Sequence, residues 1–371
     1  MIFIFKTGGL LFNIAIQLFC TFNVPNNYIE QAPVDNVYEV INSLPKNYVR
    51  DGSVDYTSAL QAAIYEHKNL LFPSFPLLVN DNGLLIGSNK TLTFLPGSEI
   101  RLKGSDKKRY NIIKMERAVN VIINGLFIKG DRYTHKDTRG EWGMGLGIYS
   151  CSNITLNNIK IVDCWGDGIY LGNAGGNGPP NYNVLIKEPE ISNCRRDGVS
   201  IITARRLTII SPHVTGTNGT LPMCGINFEP NNPFDELQQI NVIDPSTEDN
   251  VGSGISIGIK NLYGMSSKNI DIAIIRHKDK GSGIALKIHN YLSRRKLAET
   301  VTGSITVTNP VWAKNSNCAM RAILYDPNLK LFISTPRVTD LRGNSLTRSA
   351  IFDRLTAGPN VNKEAQISVR F

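Results

Sequence analysis

Five segments of the chain share one pattern, a glycine followed by alternating apolar residues. They are GDGIYLG (166–172), RDGVSII (196–202), MCGINFE (223–229), GSGISIG (252–258) and GSGIALK (281–287). Their glycines, Gly168, Gly198, Gly225, Gly254 and Gly283, are spaced by 30, 27, 29 and 29 residues. A second series interleaves with the first: NVIINGLFI (120–128), NITLNNIKI (153–161), NVLIKEPEI (183–191), LTIISPHV (207–214), INVIDPST (240–247) and SITVTNPVW (304–312). Each member of it is an alternating apolar run, then a polar or proline-containing bend.

Alternation of this kind marks strands with one buried face. A fixed period near 29 residues marks a solenoid. Strand, bend, strand, turn, strand at that period predicts one coil of an all-β, single-stranded right-handed parallel β-helix. Inward Ile, Val and Leu would stack on their equivalents in the next coil, about 4.8 Å away. Proline and glycine fall where the coil turns, which suits a missing donor or a permissive φ. A helical solenoid would need long amphipathic helices in every repeat, and none is present. The one good helix signal, SVDYTSALQAAIYEHKN (53–69), has Asp55 or Thr57 to cap it and Leu60, Ala63 and Ile64 as a buried stripe. Such a helix is expected to cap the open end of the coil stack. The expected organisation is an apolar N-terminal segment (1–24), a cap with the first coils (25–110), the coils proper (111–314) and a C-terminal cap or flank (315–371).

The N-terminal stretch MIFIFKTGGLLFNIAIQLFC resembles a signal peptide, with Lys6 before an apolar run. It gives an expectation of secretion or a cell-surface location. No other segment is apolar for long enough to span a bilayer. A net charge of +9 favours anionic partners. Nucleic acid is not the expected one, because the chain has no RNP-like aromatic motif, zinc-finger spacing or Lys/Arg block. The six cysteines form no CxxC pair, so no zinc site is expected. Cys164 and Cys194 occupy equivalent places in two repeats and are expected to be stacked core thiols. There are no heptads to argue for a coiled-coil oligomer.

The head region DYTSALQAAI…LLFPSFPLLV…LLIGSNKTLTFLPGSEI, with the repeats after it, is similar to proteins of the pectate lyase-like superfamily over residues 50–310. That superfamily includes glycosidases, lyases and phage tailspike depolymerases. The resemblance implies a β-helix acting on or binding polysaccharide, and one fold hosts many reactions. Polygalacturonase-type hydrolases place aspartates at strand starts on adjacent coils. Asp167 in WGDGIYL and Asp197 in RRDGVSI resemble two of those contexts. The chain departs from that pattern where Arg196 replaces a paired aspartate, where Val251-Gly252 stands for His-Gly, and where GIALKIHN lacks Arg-Ile-Lys.

Glycoside hydrolysis uses two carboxyl groups. Asp167 and Asp197 on consecutive strands would lie about 5 Å apart, the retaining spacing, and a register shift would widen it toward the inverting one. The competing reading is turn chemistry at a strand start. The other three repeats carry Cys224, Ser253 and Ser282 at that position, so a turn does not demand aspartate. The insertion THKDTRGEWGMGLGIYS (134–150) adds Glu141 as a third candidate acid or base. His135 and Trp142 from the same insertion are candidates for substrate contact. Further substrate-binding candidates are Trp165, Tyr170, Arg195, Arg196 and Glu229. Glu229 lies five residues further along its strand than the aspartates and is expected at a distal subsite. The expectation is hydrolysis of an acidic polysaccharide, with β-elimination or glycan binding alone as alternatives. No cofactor is expected for a hydrolase, and Ca²⁺ held by the aspartates would suit a lyase.

Overall fold

The computed structural model describes residues 36–264, 266–289, 300–323, 328–356 and 367–371. The apolar segment 1–24 lies outside them. Among the described residues no helix is long and apolar enough to cross a membrane.

Among the described residues there are three parallel sheets, with twelve, ten and nine strands. One coil shows the path. Ile169–Gly172 lies in the nine-stranded sheet, Asn181–Lys187 in the twelve-stranded sheet and Glu190–Ser192 in the ten-stranded sheet. The next coil repeats the order with Val199–Ile201, Ala204–Ile210 and His213–Thr215. Level residues stack by type. Ile169 pairs with Val199, Val199 with Ile226, and Ile226 with Ile255, and all four are fully buried. Burying such columns supplies the main driving force, since each aliphatic side chain removed from water contributes roughly 1.5–3 kcal/mol. Past residue 314, the strands Cys318–Ile323, Leu329–Ser334 and Arg337–Val338 extend all three sheets.

Corners between the twelve- and ten-stranded sheets are made by single left-handed residues. Asn158, Glu188, Ser211, Asp244, Arg276 and Asn309 have φ between 50° and 57°. Left-handed backbone costs an L-residue roughly 1–2 kcal/mol. The geometry persists because each corner N–H still reaches the next coil, as with Glu188 to Ile210 O at 2.8 Å and Ser211 to Ile243 O at 2.8 Å. Proline follows Glu188, Ser211, Asp244 and Asn309, where no outgoing strand bond is lost.

The ladder glycines are required for a different reason from the one expected. None of Gly168, Gly198, Gly225 or Gly254 has a positive φ. A Cβ at Gly168 would stand 2.7 Å from Gly198 O, and at Gly198 it would stand 2.6 Å from Gly225 O and 2.2 Å from Val214 Cγ1. Close approach of coils, and not turn geometry, excludes a side chain here. The ladder also begins one coil earlier, at Gly145, since Leu146 pairs with Ile169. It ends at Gly254: Ser253 pairs with Ile284, so Ala285 and not Gly283 is level with it.

The helix forms over Thr57–Glu66, shorter than the 53–69 signal. Asp55 Oδ1 accepts from the Thr57 amide at 3.0 Å and its hydroxyl at 2.6 Å, while Leu60, Ala63 and Ile64 are buried.

Candidate functional site

Alternation in the nine-stranded sheet turns Ile169 and Leu171 inward and Tyr170 outward. Ser200 is level with Tyr170, and Asn227 with Ser200. Where these strands begin, Asp167 and Asp197 stand on adjacent coils, both at 0% exposure.

One oxygen of each aspartate binds the next coil, and Asp167 Oδ1 also accepts from Arg196 Nη1 at 3.2 Å. Oδ1 of Asp167 accepts the Asp197 amide at 3.1 Å, and Oδ1 of Asp197 accepts the Cys224 amide at 2.8 Å. These are coil-to-coil contacts, the structural role that a strand-start aspartate would have. The Oδ2 atoms face a shared polar cluster. Ser200 Oγ donates to Asp167 Oδ2 at 2.8 Å and lies 3.2 Å from Asp197 Oδ2. Two oxygens touching one hydroxyl are at most about 6 Å apart, which agrees with the spacing expected for adjacent strands.

Arg196 closes the cluster. Its Nη1 lies 2.9 Å from Asp167 Oδ2 and 3.3 Å from Asp197 Oδ2, and its Nη2 donates to Glu229 Oε2 at 2.7 Å. Asn227 Nδ2 bridges Asp197 Oδ2 and Glu229 Oε2, each at 3.1 Å. Glu229 therefore joins the aspartates through Arg196 and Asn227, although backbone spacing alone places it remote from them. The long guanidinium arm covers the offset. Side-chain exposure rises from 0% at the aspartates to 11% at Arg196 and 35% at Glu229, so Glu229 is the edge that meets solvent.

Burial governs the protonation of this cluster. Asp197 is pushed up to about 8, first by desolvation and then by the charge of Asp167, with Arg196 opposing. Asp167 is also raised, by desolvation above all. A proton is thus retained on the pair near neutral pH. Arg196 is held charged by the surrounding carboxylates. Its guanidinium also occupies the position between the carboxylates that a Ca²⁺ ion would need, so the donor set does not fit that ion without its displacement. Among the described residues no group of three or more His, Cys, Asp or Glu is arranged to hold a metal.

Next to the cluster, toward the N-terminal coils, lies a groove of about 660 Å³. Its floor is the outer face of the strands Arg109–Glu116, Trp142–Tyr149 and Ile169–Gly172. Gly147 makes the room: a Cβ there would stand 2.3 Å from Asn111 Oδ1 and 2.5 Å from the Tyr149 ring. The GMGLG run is therefore a groove floor. Tyr149 donates to Asn111 Oδ1 at 2.9 Å, and the Tyr149 and Tyr170 rings lie 5.7 Å apart. Asn231 Nδ2 donates to Tyr170 Oη at 3.1 Å, and burial pushes that phenol up to about 12. The GNAGGN loop forms one wall, tied to the loop after Glu229 by Asn173 Nδ2 to Asp235 Oδ1 at 2.6 Å. Trp142, 39% exposed, lines the other end with Arg109 stacked over it at 4.8 Å.

Four sequence candidates lie elsewhere. His135 and Trp165 stack on each other at 4.1 Å, and Arg195 covers the second ring at 3.8 Å. His135 has no side-chain exposure and Trp165 is buried, so in this arrangement neither presents a ring to a ligand. Asp131 Oδ2 holds His135 Nδ1 at 2.8 Å, and its other oxygen accepts from Tyr110 Oη. Arg195 Nη1 donates to Gly140 O at 2.9 Å, which fastens the insertion to the coil. Glu141 acts electrostatically on Arg195 and makes no bond to the aspartate cluster. Stacking and backbone anchoring consume the contact surfaces of His135, Trp165 and Arg195. Sequence reasoning passed over Ser200, Asn227, Arg109, Asn111 and Tyr149. Ser200 and Asn227 carry a usable signal, because each stands two residues after a ladder glycine, level with Tyr170.

Residues 77–258 match the family model described as right handed beta helix region. The chain is 25% identical over 221 residues to the uncharacterized protein YclG of Bacillus subtilis (strain 168), covering 51% of this chain and 38% of that protein. It is 29% identical over 162 residues to the SPbeta prophage-derived uncharacterized protein YorA of the same organism, covering 40% and 28%. The chain thus spans less than two fifths of the length of either relative. Among solved structures, it is similar to pre-mature bacteriophage phi29 gene product 12 at TM-score 0.64 and 16% identity, covering 81% and 42% of the two chains. It is similar to iota-carrageenase complexed to iota-carrageenan fragments at TM-score 0.56 and 13% identity, covering 75% and 73%. It is also similar to the polygalacturonase from Erwinia carotovora ssp. carotovora at TM-score 0.55 and 13% identity, covering 78% and 92%. With its coil path, its glycine ladder and these likenesses in agreement, the chain folds as a right-handed parallel β-helix.

Proposed function

We propose that this chain binds an acidic polysaccharide along the outer face of the nine-stranded sheet and hydrolyses it. The observation that carries the reading is the cluster of Asp167, Asp197 and Glu229 around Arg196, opening at Glu229 beside an aromatic groove. General acid catalysis needs a carboxyl that keeps its proton near neutral pH, and Asp197, pushed up to about 8, is one. Glu229 is the carboxyl within reach of a bound sugar. A swing of Arg196 toward the groove would open the Asp167–Asp197 pair, with the pair supplying the proton to the leaving oxygen. Trp142, Tyr149 and Tyr170 offer ring faces and phenolic contacts for the sugar. The expected location is outside the cell, where such polymers occur.

The full burial of both aspartates favours a second reading, glycan binding without cleavage. Incubation with a panel of acidic and neutral glycans separates the readings. New reducing ends without unsaturated uronate absorbance are expected, and Glu229→Gln should reduce their rate at least a hundredfold while leaving the fold intact. Unsaturated uronate would establish elimination. Binding with no new chain ends would leave the non-catalytic reading in its place.

A further inference from the structure

Among the described residues, the groove lining holds one positive charge without a carboxylate partner. Lys114 Nζ is paired with Glu116 at 2.5 Å, and Arg196 is surrounded by three carboxylates. At the opposite wall the asparagines carry no charge, and each amide already donates once: Asn173 to Asp235, Asn231 to Tyr170, Asn232 to Gly176 O. Arg109 has no carboxylate partner among the described residues, and its guanidinium lies over the Trp142 ring. Trp142 is level with Arg109 on the neighbouring strand, so the stack is fixed by backbone register. Stacking orients the guanidinium plane and leaves its edge free for a two-oxygen anion.

Resting on the polysaccharide reading, we infer that Arg109 with Trp142 forms the subsite that selects for charge, taking the carboxylate or sulfate group of one sugar residue remote from the scissile bond. The strand of Arg109 lies three strands from Val199–Ile201 in the sheet order. Three spacings of roughly 4.8 Å separate it from that strand, and a fourth from the strand leading to Glu229, about 19 Å across the sheet. The recognised charge therefore belongs to a different sugar unit from the one that meets Glu229. Between the two, the floor of Tyr149, Tyr170 and Asn111 offers ring faces and amide contacts with no unpaired charge, suited to the neutral parts of the chain.

The test measures dissociation constants for three polymers: a polyuronate, its carboxyl-reduced neutral form, and that neutral form carrying sulfate esters. The wild-type protein should prefer at least one anionic form over the neutral one, and which of the two identifies the group. Arg109→Gln should weaken the preferred anionic polymer roughly tenfold, the loss of one charge-assisted contact. It should change neutral-polymer affinity by less than twofold. Lys280→Gln removes the same charge from the ten-stranded sheet and serves as the control for general electrostatics. Equal loss in both variants, or equal wild-type affinity for all three polymers, would overturn the charge-selecting subsite while leaving glycan binding standing. Failure of the folded wild-type protein to bind any of the three would remove the subsite together with the reading beneath it.

Discussion

Replacing Asp197 with asparagine tests whether the cluster holds a proton in the folded protein. In the unfolded chain an aspartate titrates near 3.9. In the folded chain Asp197 is pushed up to about 8 by burial and by Asp167. Between these values the folded state carries a proton that the unfolded state has released, so stability falls as pH rises. The contribution is fully present below about pH 4 and is lost as pH rises through about 8. The slope is about 1.4 kcal/mol per pH unit, which gives a loss of about 4 kcal/mol between pH 5 and pH 8. Asparagine has the shape of the protonated acid and can still accept the Cys224 amide that Asp197 Oδ1 accepts at 2.8 Å. In the variant this slope disappears. Buried acids outside the pair, such as Asp279 pushed up to about 6, tilt both proteins alike and cancel in the difference. Urea midpoints at pH 5, 6, 7 and 8 should show the two curves separating steadily as pH rises. Between pH 5 and pH 8 Asp197→Asn should gain roughly 4 kcal/mol on the wild-type protein. Parallel curves would mean that Asp197 is ionised throughout, with Arg196 neutralising it fully, and the proposed acid would lose its proton.

Two further substitutions probe the frame that carries the site. Gly198→Ala places a Cβ 2.2 Å from Val214 Cγ1 and 2.6 Å from Gly225 O, so it should cost about 3 kcal/mol or more by urea unfolding. Gly87→Ala, where a Cβ meets nothing within 4 Å, should stay within about 0.5 kcal/mol of wild type, and equal costs would refute the close-approach argument. Asp131→Ala strips the acceptor from the Tyr110 hydroxyl and the Ser105 amide, which are buried, and from the His135 ring. At about 1–3 kcal/mol for each unmet group the loss should exceed roughly 3 kcal/mol. Proteolysis should then find the insertion around Arg139 first, and an unchanged cleavage pattern would show that Asp131 does not hold it.

The coil was legible because stacking imposes one physical demand at a fixed period. Ile169, Val199, Ile226 and Ile255 must match each other, so their recurrence appears in any register-aware reading. The glycines were visible for the same reason, although their cause, carbonyl contact between coils, is a fact of three dimensions. The last one was misplaced by two residues because GSG recurs at 252–254 and 281–283 while the pairing shifts underneath. The site was less legible because it is assembled by side-chain reach. Asp167 and Asp197 stand out because three other repeats carry Cys224, Ser253 and Ser282 in that place. Backbone spacing alone puts Glu229 at a distal subsite, and Arg196 and Asn227 span that distance. His135 and Trp165 were chosen for their chemistry, and nothing in their spacing announces that they face each other. A solenoid sequence thus displays what every coil must repeat, and it marks a site wherever one coil breaks the pattern. Which broken positions converge depends on the longest side chain among them, and here that side chain is Arg196.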